Sequence, residues 1–150
     1  MSGFSPGHAV EKTCDIVTFR VDGGAYGIHI LNIQEINKLL DLTPAPGAPP
    51  YVRGILNLRG QIVTIIDLGL KLGLSDPIHL NMQTRNIIVR SGGESIGLLV
   101  ERIGDVVRVA SDEVDAPPAN MNGLHGKFFD GVVKTVDELI GILNVEKILE

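Results

Sequence analysis

Tryptophan is absent from this 150-residue chain, and two tyrosines and four phenylalanines are its only large aromatic side chains. Basic residues are scarce as well: 13 Lys and Arg stand against 18 Asp and Glu, a formal charge of -5. Phosphate backbones are gripped by clustered cations and unpaired bases by aromatic platforms, so neither scarcity suits a nucleic-acid binder. A small barrel that binds oligonucleotides remains the rival reading on architecture alone. One cysteine, Cys14, excludes an internal disulfide and a thiolate zinc site, which fits a reducing, cytoplasmic setting. No apolar run approaches the ~18 residues of a membrane span, and "MSGFSPGHAVEKT" lacks the basic start and apolar centre of a signal peptide. Residues 1–14 read as a flexible tail, with no direct membrane insertion.

What is present is short, alternating and repeated. In "DIVTFRVDGGAYGIHI" the β-branched and aromatic residues alternate up to Gly23-Gly24, a turn, after which Tyr26 to Ile30 begins a return strand. "VTFRVDGGAYGIHILNIQEI" lies over "IIVRSGGESIGLLVERIGDV" without a gap, placing Gly27 on Gly97 and Ile33 on Ile103 at an offset of 70 residues. "GILNLRGQIVTIIDLGLKL" lies over "GVVKTVDELIGILNVEKIL" at an offset of 77, with Gly54 on Gly131 and Ile65 on Ile142. The difference falls around "DAPPANMNGLHG", whose Pro, Asn and Gly content predicts a loop. Two related units in tandem follow, each with two hairpins and a short terminal helix. Asp67 and Asn144 stand at the matched N-cap positions. Units of about 65 residues are small to stand alone and should pack together as closed barrels, which leave no bare strand edges. The predicted fold is all-β with short helices, in two packed five-stranded lobes: residues 15–80, then 81–150 with a C-terminal helix at 144–150.

Chemistry-bearing groups are dispersed. His8, His29, His79 and His125 have no metal-ligand spacing to one another or to Cys14. "DGGAYG" leads into a strand rather than a helix N-terminus, and no nucleophile elbow surrounds a serine. Asp67, Asp105, Asp112, Glu113 and Asp115 could supply paired carboxylates only if the fold made them converge in a cleft, and Asp112-Glu113 after Ser111 reads as the first turn of a short helix. No cofactor is implied, and the chain reads as a binding protein rather than an enzyme.

Two segments break the symmetry between the units. "ILNLRGQIVTII" parses as a hairpin with Arg59-Gly60 at its tip, whereas the matched pair in the second unit is Val136-Asp137. A turn at that place therefore requires neither residue. In "LNIQEI", Asn32 and Glu35 have the spacing of a helix N-cap and its reciprocal carboxylate, and Ile33 and Ile36 fall on one helical face; the matched residues Arg102 and Asp105 do not repeat the cap. Glu35 is thus either a helix cap or a contact residue, and the isoleucines either core or surface. Mixed apolar anchors and charges of this kind are typical of interfaces.

"GILNLRGQIVTIIDL", preceded by "YGIHILNIQEI" and followed by "LIGILNVEKIL", resembles the CheW family, the coupling proteins of bacterial chemotaxis, from about Asp15 to Glu150. The resemblance implies two SH3-like β-barrel lobes and a cytoplasmic adaptor, recruited to membrane receptor arrays, that links chemoreceptor tips to the histidine kinase CheA. It implies partner binding by the arginine of "NLRG" and the glutamate of "QEI", hence Arg59 and Glu35. Asn57 and Leu58 of the same hairpin, with Ile33 and Ile36, complete the expected partner-binding set. Thr64 departs from the proline often found there. With no room for kinase or receiver segments, a lone coupling domain is expected. One surface would dock the related barrel domain of the kinase, and an apolar groove between the lobes would take the receptor's helical tip.

Overall fold

The computed structural model describes residues 12–38, 41–74 and 76–150. Thirteen strands and two short helices follow one another: β1 (Thr13–Val21), β2 (Gly24–His29), β3 (Ile33–Lys38), β4 (Val52–Leu58), β5 (Gln61–Asp67), α1 (Leu68–Lys71), β6 (Arg85–Ser91), β7 (Glu94–Val100), β8 (Arg102–Ala110), β9 (Val114–Asp115), β10 (Asn120–Met121), β11 (Leu124–His125), β12 (Phe129–Lys134), β13 (Leu139–Leu143) and α2 (Val145–Leu149). The first strand takes up Thr13 and Cys14 from the expected tail; residues 1–11 lie outside the described residues. The expected loop at 115–126 contains a hairpin of two two-residue strands, β10–β11.

The duplication is real, but the lobes are not cut at residue 80. One sheet runs β8-β1-β2-β13-β12-β9 and the other β3-β6-β7-β5-β4. Each repeat gives its first hairpin to the other repeat's sheet. β1–β2 joins β8, β12 and β13 of the second repeat, while β6–β7 joins β3, β4 and β5 of the first. The parallel joints are equivalent: Gly27 opposes Ile142 and Gly97 opposes Ile65. Both glycines are dictated by close approach. A Cβ on Gly27 would stand 2.3 Å from Ile16 Cγ2, and one on Gly97 2.5 Å from Ile65 Cδ1.

Closure of the two barrels also repeats. After β8 a 3-10 turn at Ser111–Glu113 leads into β9, which pairs with β12 through Val132 and Asp115. In the other barrel Thr43 and Ile55 exchange both backbone hydrogen bonds, at 2.8 and 2.9 Å, in the same place. Two end strands of a five- or six-stranded sheet are thereby tied, as edge protection requires.

Alternation explains the core. Both faces of β6 are buried at Ile87, Ile88 and Val89, one toward its own barrel and one toward its neighbour. A single apolar cluster joins Phe19, Tyr26 and Ile28 of one barrel to Leu68, Ile87, Val89 and Leu98 of the other, with Tyr26 6.3 Å from Phe19 and 6.2 Å from Phe129 between ring centres. A smaller cluster of Ile16, Val109, Val133 and Ile142 fills the six-stranded barrel alone. The terminal helices are capped as expected: Asp67 Oδ1 accepts from Leu70 N at 3.1 Å and Asn144 Oδ1 from Lys147 N at 3.0 Å. No helix among the described residues is long and apolar enough to cross a membrane.

Candidate functional site

The β4–β5 connection is a two-residue turn in which Arg59 and Gly60 both adopt positive φ, 52° and 86°. That geometry matches the right-handed twist of the flanking strands and is easy only for glycine, asparagine and aspartate. Arg59 takes it at some steric cost, with Asn57 Oδ1 accepting from Gly60 N at 3.0 Å to hold the turn. Asn57 is therefore a turn-forming residue, while Leu58 is half-buried and packs against the core.

The segment expected to be helical is a strand. Residues Ile30–Asn32 form one 3-10 turn whose first free N–H groups are served by His29, with Nδ1 accepting from Leu31 N at 3.4 Å. Ile33–Lys38 is β3, paired with β6, so Glu35 caps no helix. Helical spacing misplaced the isoleucines because the true period is two with a bulge at Gln34. Ile33 packs against the core, whereas Ile36 is 38% exposed.

β3 and β4 are the two ends of the five-stranded order, and Arg59 Nη2 donates to Glu35 Oε2 across that seam. Asn37 Nδ2 donates to the other carboxylate oxygen at 3.1 Å. The guanidinium beside Glu35, and secondarily the Asn37 amide, hold its carboxyl below the usual glutamate range. The arginine side chain nevertheless stays 68% exposed and the glutamate 26%. Arg59 is therefore paired within the chain and still presented to solvent, so it offers a docked guanidinium rather than a buried one.

Sequence reasoning missed Ile62. It lies cross-strand from Asn57 and is 60% exposed, within a few residues of the arginine. The signal was parity: in "QIVTII" Val63 and Ile65 point inward, so Ile62 shares its face with Thr64. The structure thus pairs Arg59 with Glu35 across the seam, leaves Ile36 exposed on β3 and Ile62 exposed on β5, and packs Ile33 and Leu58 against the core.

Among the described residues, a hollow between the barrels is bounded by Asp22, Arg53, Asp76, Gln83, Glu101 and Arg102 together with Val21, Leu74, Ile78 and Leu80, a mixed polar and aliphatic lining rather than the apolar groove expected. Among the described residues no three His, Cys, Asp or Glu side chains converge to hold a metal ion. His125 instead caps a turn, Nδ1 accepting from Lys127 N at 2.9 Å.

A double β-barrel built by hairpin exchange, with an ion-paired yet exposed arginine at one hairpin tip, has the form of a protein–protein docking module. Residues 15–150 match the CheW-like domain family, to which the chain belongs. It is 34% identical to a chemotaxis protein CheW of Helicobacter pylori, over 93% of this chain and 84% of that protein. It is 32% identical to a chemotaxis protein CheW of Thermotoga maritima, over 93% and 89%. The crystal structure of the scaffolding protein TtCheW from Thermoanaerobacter tengcongensis superposes with a TM-score of 0.84 at 29% identity, covering 95% of this chain and 92% of that one.

Proposed function

We propose that the chain is a non-catalytic adaptor of bacterial chemotaxis, coupling chemoreceptor tips to the histidine kinase CheA at membrane-associated arrays. The observation that carries the reading is the Arg59–Glu35 pair, its arginine exposed, on the barrel whose β3 and β5 also expose Ile36 and Ile62, and absent from the matched place on the other, where Val136 and Asp105 stand. A partner carboxylate can compete for the guanidinium while aliphatic side chains cover Ile36 and Ile62, the mixture of apolar anchor and orienting charge found in interface hot spots. Binding of an oligonucleotide finds no support in this patch, which holds one cation and no aromatic ring.

The test is co-sedimentation of the full chain with a receptor signalling fragment, with and without the kinase, comparing wild type with Arg59→Ala. The variant should keep its melting temperature, because exposed pairs contribute little to folding, and should lose tenfold or more in association with at least one partner. Unchanged recovery with both partners would remove Arg59 from the interface.

A further inference from the structure

Asn37 on β3 and Asn86 on β6 are direct cross-strand neighbours. Asn86 is fully buried, its Nδ2 reaches Asn37 Oδ1 at 3.4 Å, and its Oδ1 has no hydrogen-bond partner. A buried carbonyl oxygen without a donor is costly and calls for an explanation.

The explanation is a forced polarity that starts at the surface. An ionised Glu35 can only accept, so Asn37 must turn its NH2 group toward Glu35 Oε1. Its own carbonyl then faces inward, and Asn86 can answer only with NH2. The orphan oxygen is what remains at the buried end of a chain running Arg59, Glu35, Asn37, Asn86. The duplicate barrel supplies the control. There the matched cross-strand pair is Ile16 with Val107, with Ile16 buried among Val109, Val133 and Ile142. The fold thus accepts aliphatic side chains at both places, and the amide pair occurs only in the barrel that carries the arginine.

We propose that Asn86 and Asn37 are positioning residues for the partner-binding surface: together they fix Glu35, and through it hold the Arg59 guanidinium over the seam in the arrangement a partner meets. Asn86 gives up core stability to do so. This rests on the reading of Arg59 as an interface residue, and the experiment separates the two.

The full chain is compared with Asn86→Leu and with Asn37→Ser, the latter on the half-buried end and serving alone if the core variant fails to fold. Without any partner, NMR follows the Glu35 side-chain carboxyl through an acid titration and the Arg59 side-chain N–H signal. Both variants should let Glu35 titrate nearer the ordinary glutamate range and let the Arg59 signal average toward that of a free arginine, while Asn86→Leu melts at an equal or higher temperature. Receptor or kinase association should fall roughly three- to tenfold, and Arg59→Ala combined with Asn86→Leu should bind no worse than Arg59→Ala alone. Wild-type behaviour of both NMR signals in the variants would overturn the proposal. Altered signals with unchanged association would uphold the positioning role and overturn the interface reading instead.

Discussion

Asp67 holds a buried carboxylate with three hydrogen-bond partners, and replacing it by asparagine isolates what they contribute. Its carboxylate is completely buried at the end of β5. Oδ1 caps α1 through Leu70 N, while Oδ2 accepts from Ile78 N at 2.8 Å and from Arg53 Nη1 at 2.9 Å. Arg53 also donates to Ile78 O at 3.0 Å, so one ion pair ties the base of the β4–β5 hairpin to the segment leading into β6. In Asp67→Asn the amide oxygen can keep the cap, but the NH2 group must face two donors, the Ile78 N–H and the guanidinium of Arg53, whose side chain is only 22% exposed. Leaving one partner of such a pair uncompensated costs ~3–5 kcal/mol; the partial exposure of Arg53 places the expectation near the low end, ~3 kcal/mol. For a chain of this length that corresponds to a fall of roughly 6–12 °C in melting temperature. Urea unfolding of Asp67→Asn, Arg53→Met and the double variant measures it: the double should recover ~2 kcal/mol relative to the sum of the singles. A cost below ~1 kcal/mol for Asp67→Asn, or simple additivity, would refute the argument. Arg59 sits at the opposite end of the hairpin, so partner association well below the melting range should be unaffected.

Other expectations follow from the same geometry. Glu35 is held low chiefly by the Arg59 hydrogen bond and Asp15 by that of Arg108; depressed carboxyls stabilise the fold above their unfolded-state values and lose that contribution as pH falls through the folded-state ones, so the loss lies on the acid side of about pH 4.5 and 3.8. Acid titration should show Glu35 returning to the ordinary range in Arg59→Gln and Asp15 in Arg108→Gln, and no change in either would reject the assigned cause. Ile62→Asp should leave stability nearly unchanged, because the side chain is mostly solvated, yet weaken partner association as strongly as Arg59→Ala; equal binding would take Ile62 out of the patch. Gly27→Ala should cost ~1–3 kcal/mol by overpacking Ile16 across a 2.3 Å approach, read as a lower midpoint in urea.

The two hairpins, the helix caps and the duplication were legible because each has a local signature: Arg59-Gly60, Asp67 and Asn144 act within a few residues of themselves, and the first turn was missed by one residue only, being Asp22-Gly23 with Gly24 already paired to Val21 in β2 rather than Gly23-Gly24. Strand partners were not. Nothing local in β6–β7 says that it completes the sheet of β3–β5 rather than that of β8 and β12–β13; the choice is made by burial between barrels, and the sequence pattern of both faces of Ile87–Val89 is equally apolar. Glu35 stood out through the asymmetry between the repeats, and the family resemblance added its partner-binding role, but its helix-cap reading fails, since Asn32 and Glu35 imitate a capping box while His29 caps the turn and β6 recruits Ile33–Lys38 as a strand. The Asn37–Asn86 link carried no signal at all, because two asparagines 49 residues apart acquire meaning only when the register sets them opposite each other.

Hairpin exchange has a consequence for folding that can be measured directly. Cutting the chain between Leu80 and Asn81, in the exposed connection before β6, gives two pieces that each contain one whole repeat but no whole sheet. Within residues 1–80 the named strand pairings are β1 with β2 and β4 with β5; β3 has lost its neighbour β6, and β5 its neighbour β7. Isolated hairpins are marginal in water, and the cluster joining Phe19 and Ile28 to Ile87 and Leu98 is divided between the pieces. Each fragment alone should therefore show no cooperative unfolding transition, whereas mixing them should restore one, with a midpoint that rises with concentration because association has replaced the covalent link. Had the chain been two lobes in series, either piece would fold without the other. A cooperative transition in residues 1–80 by themselves would refute the exchange, and with it the account of how residues 85–100 come to support the seam that Arg59 closes.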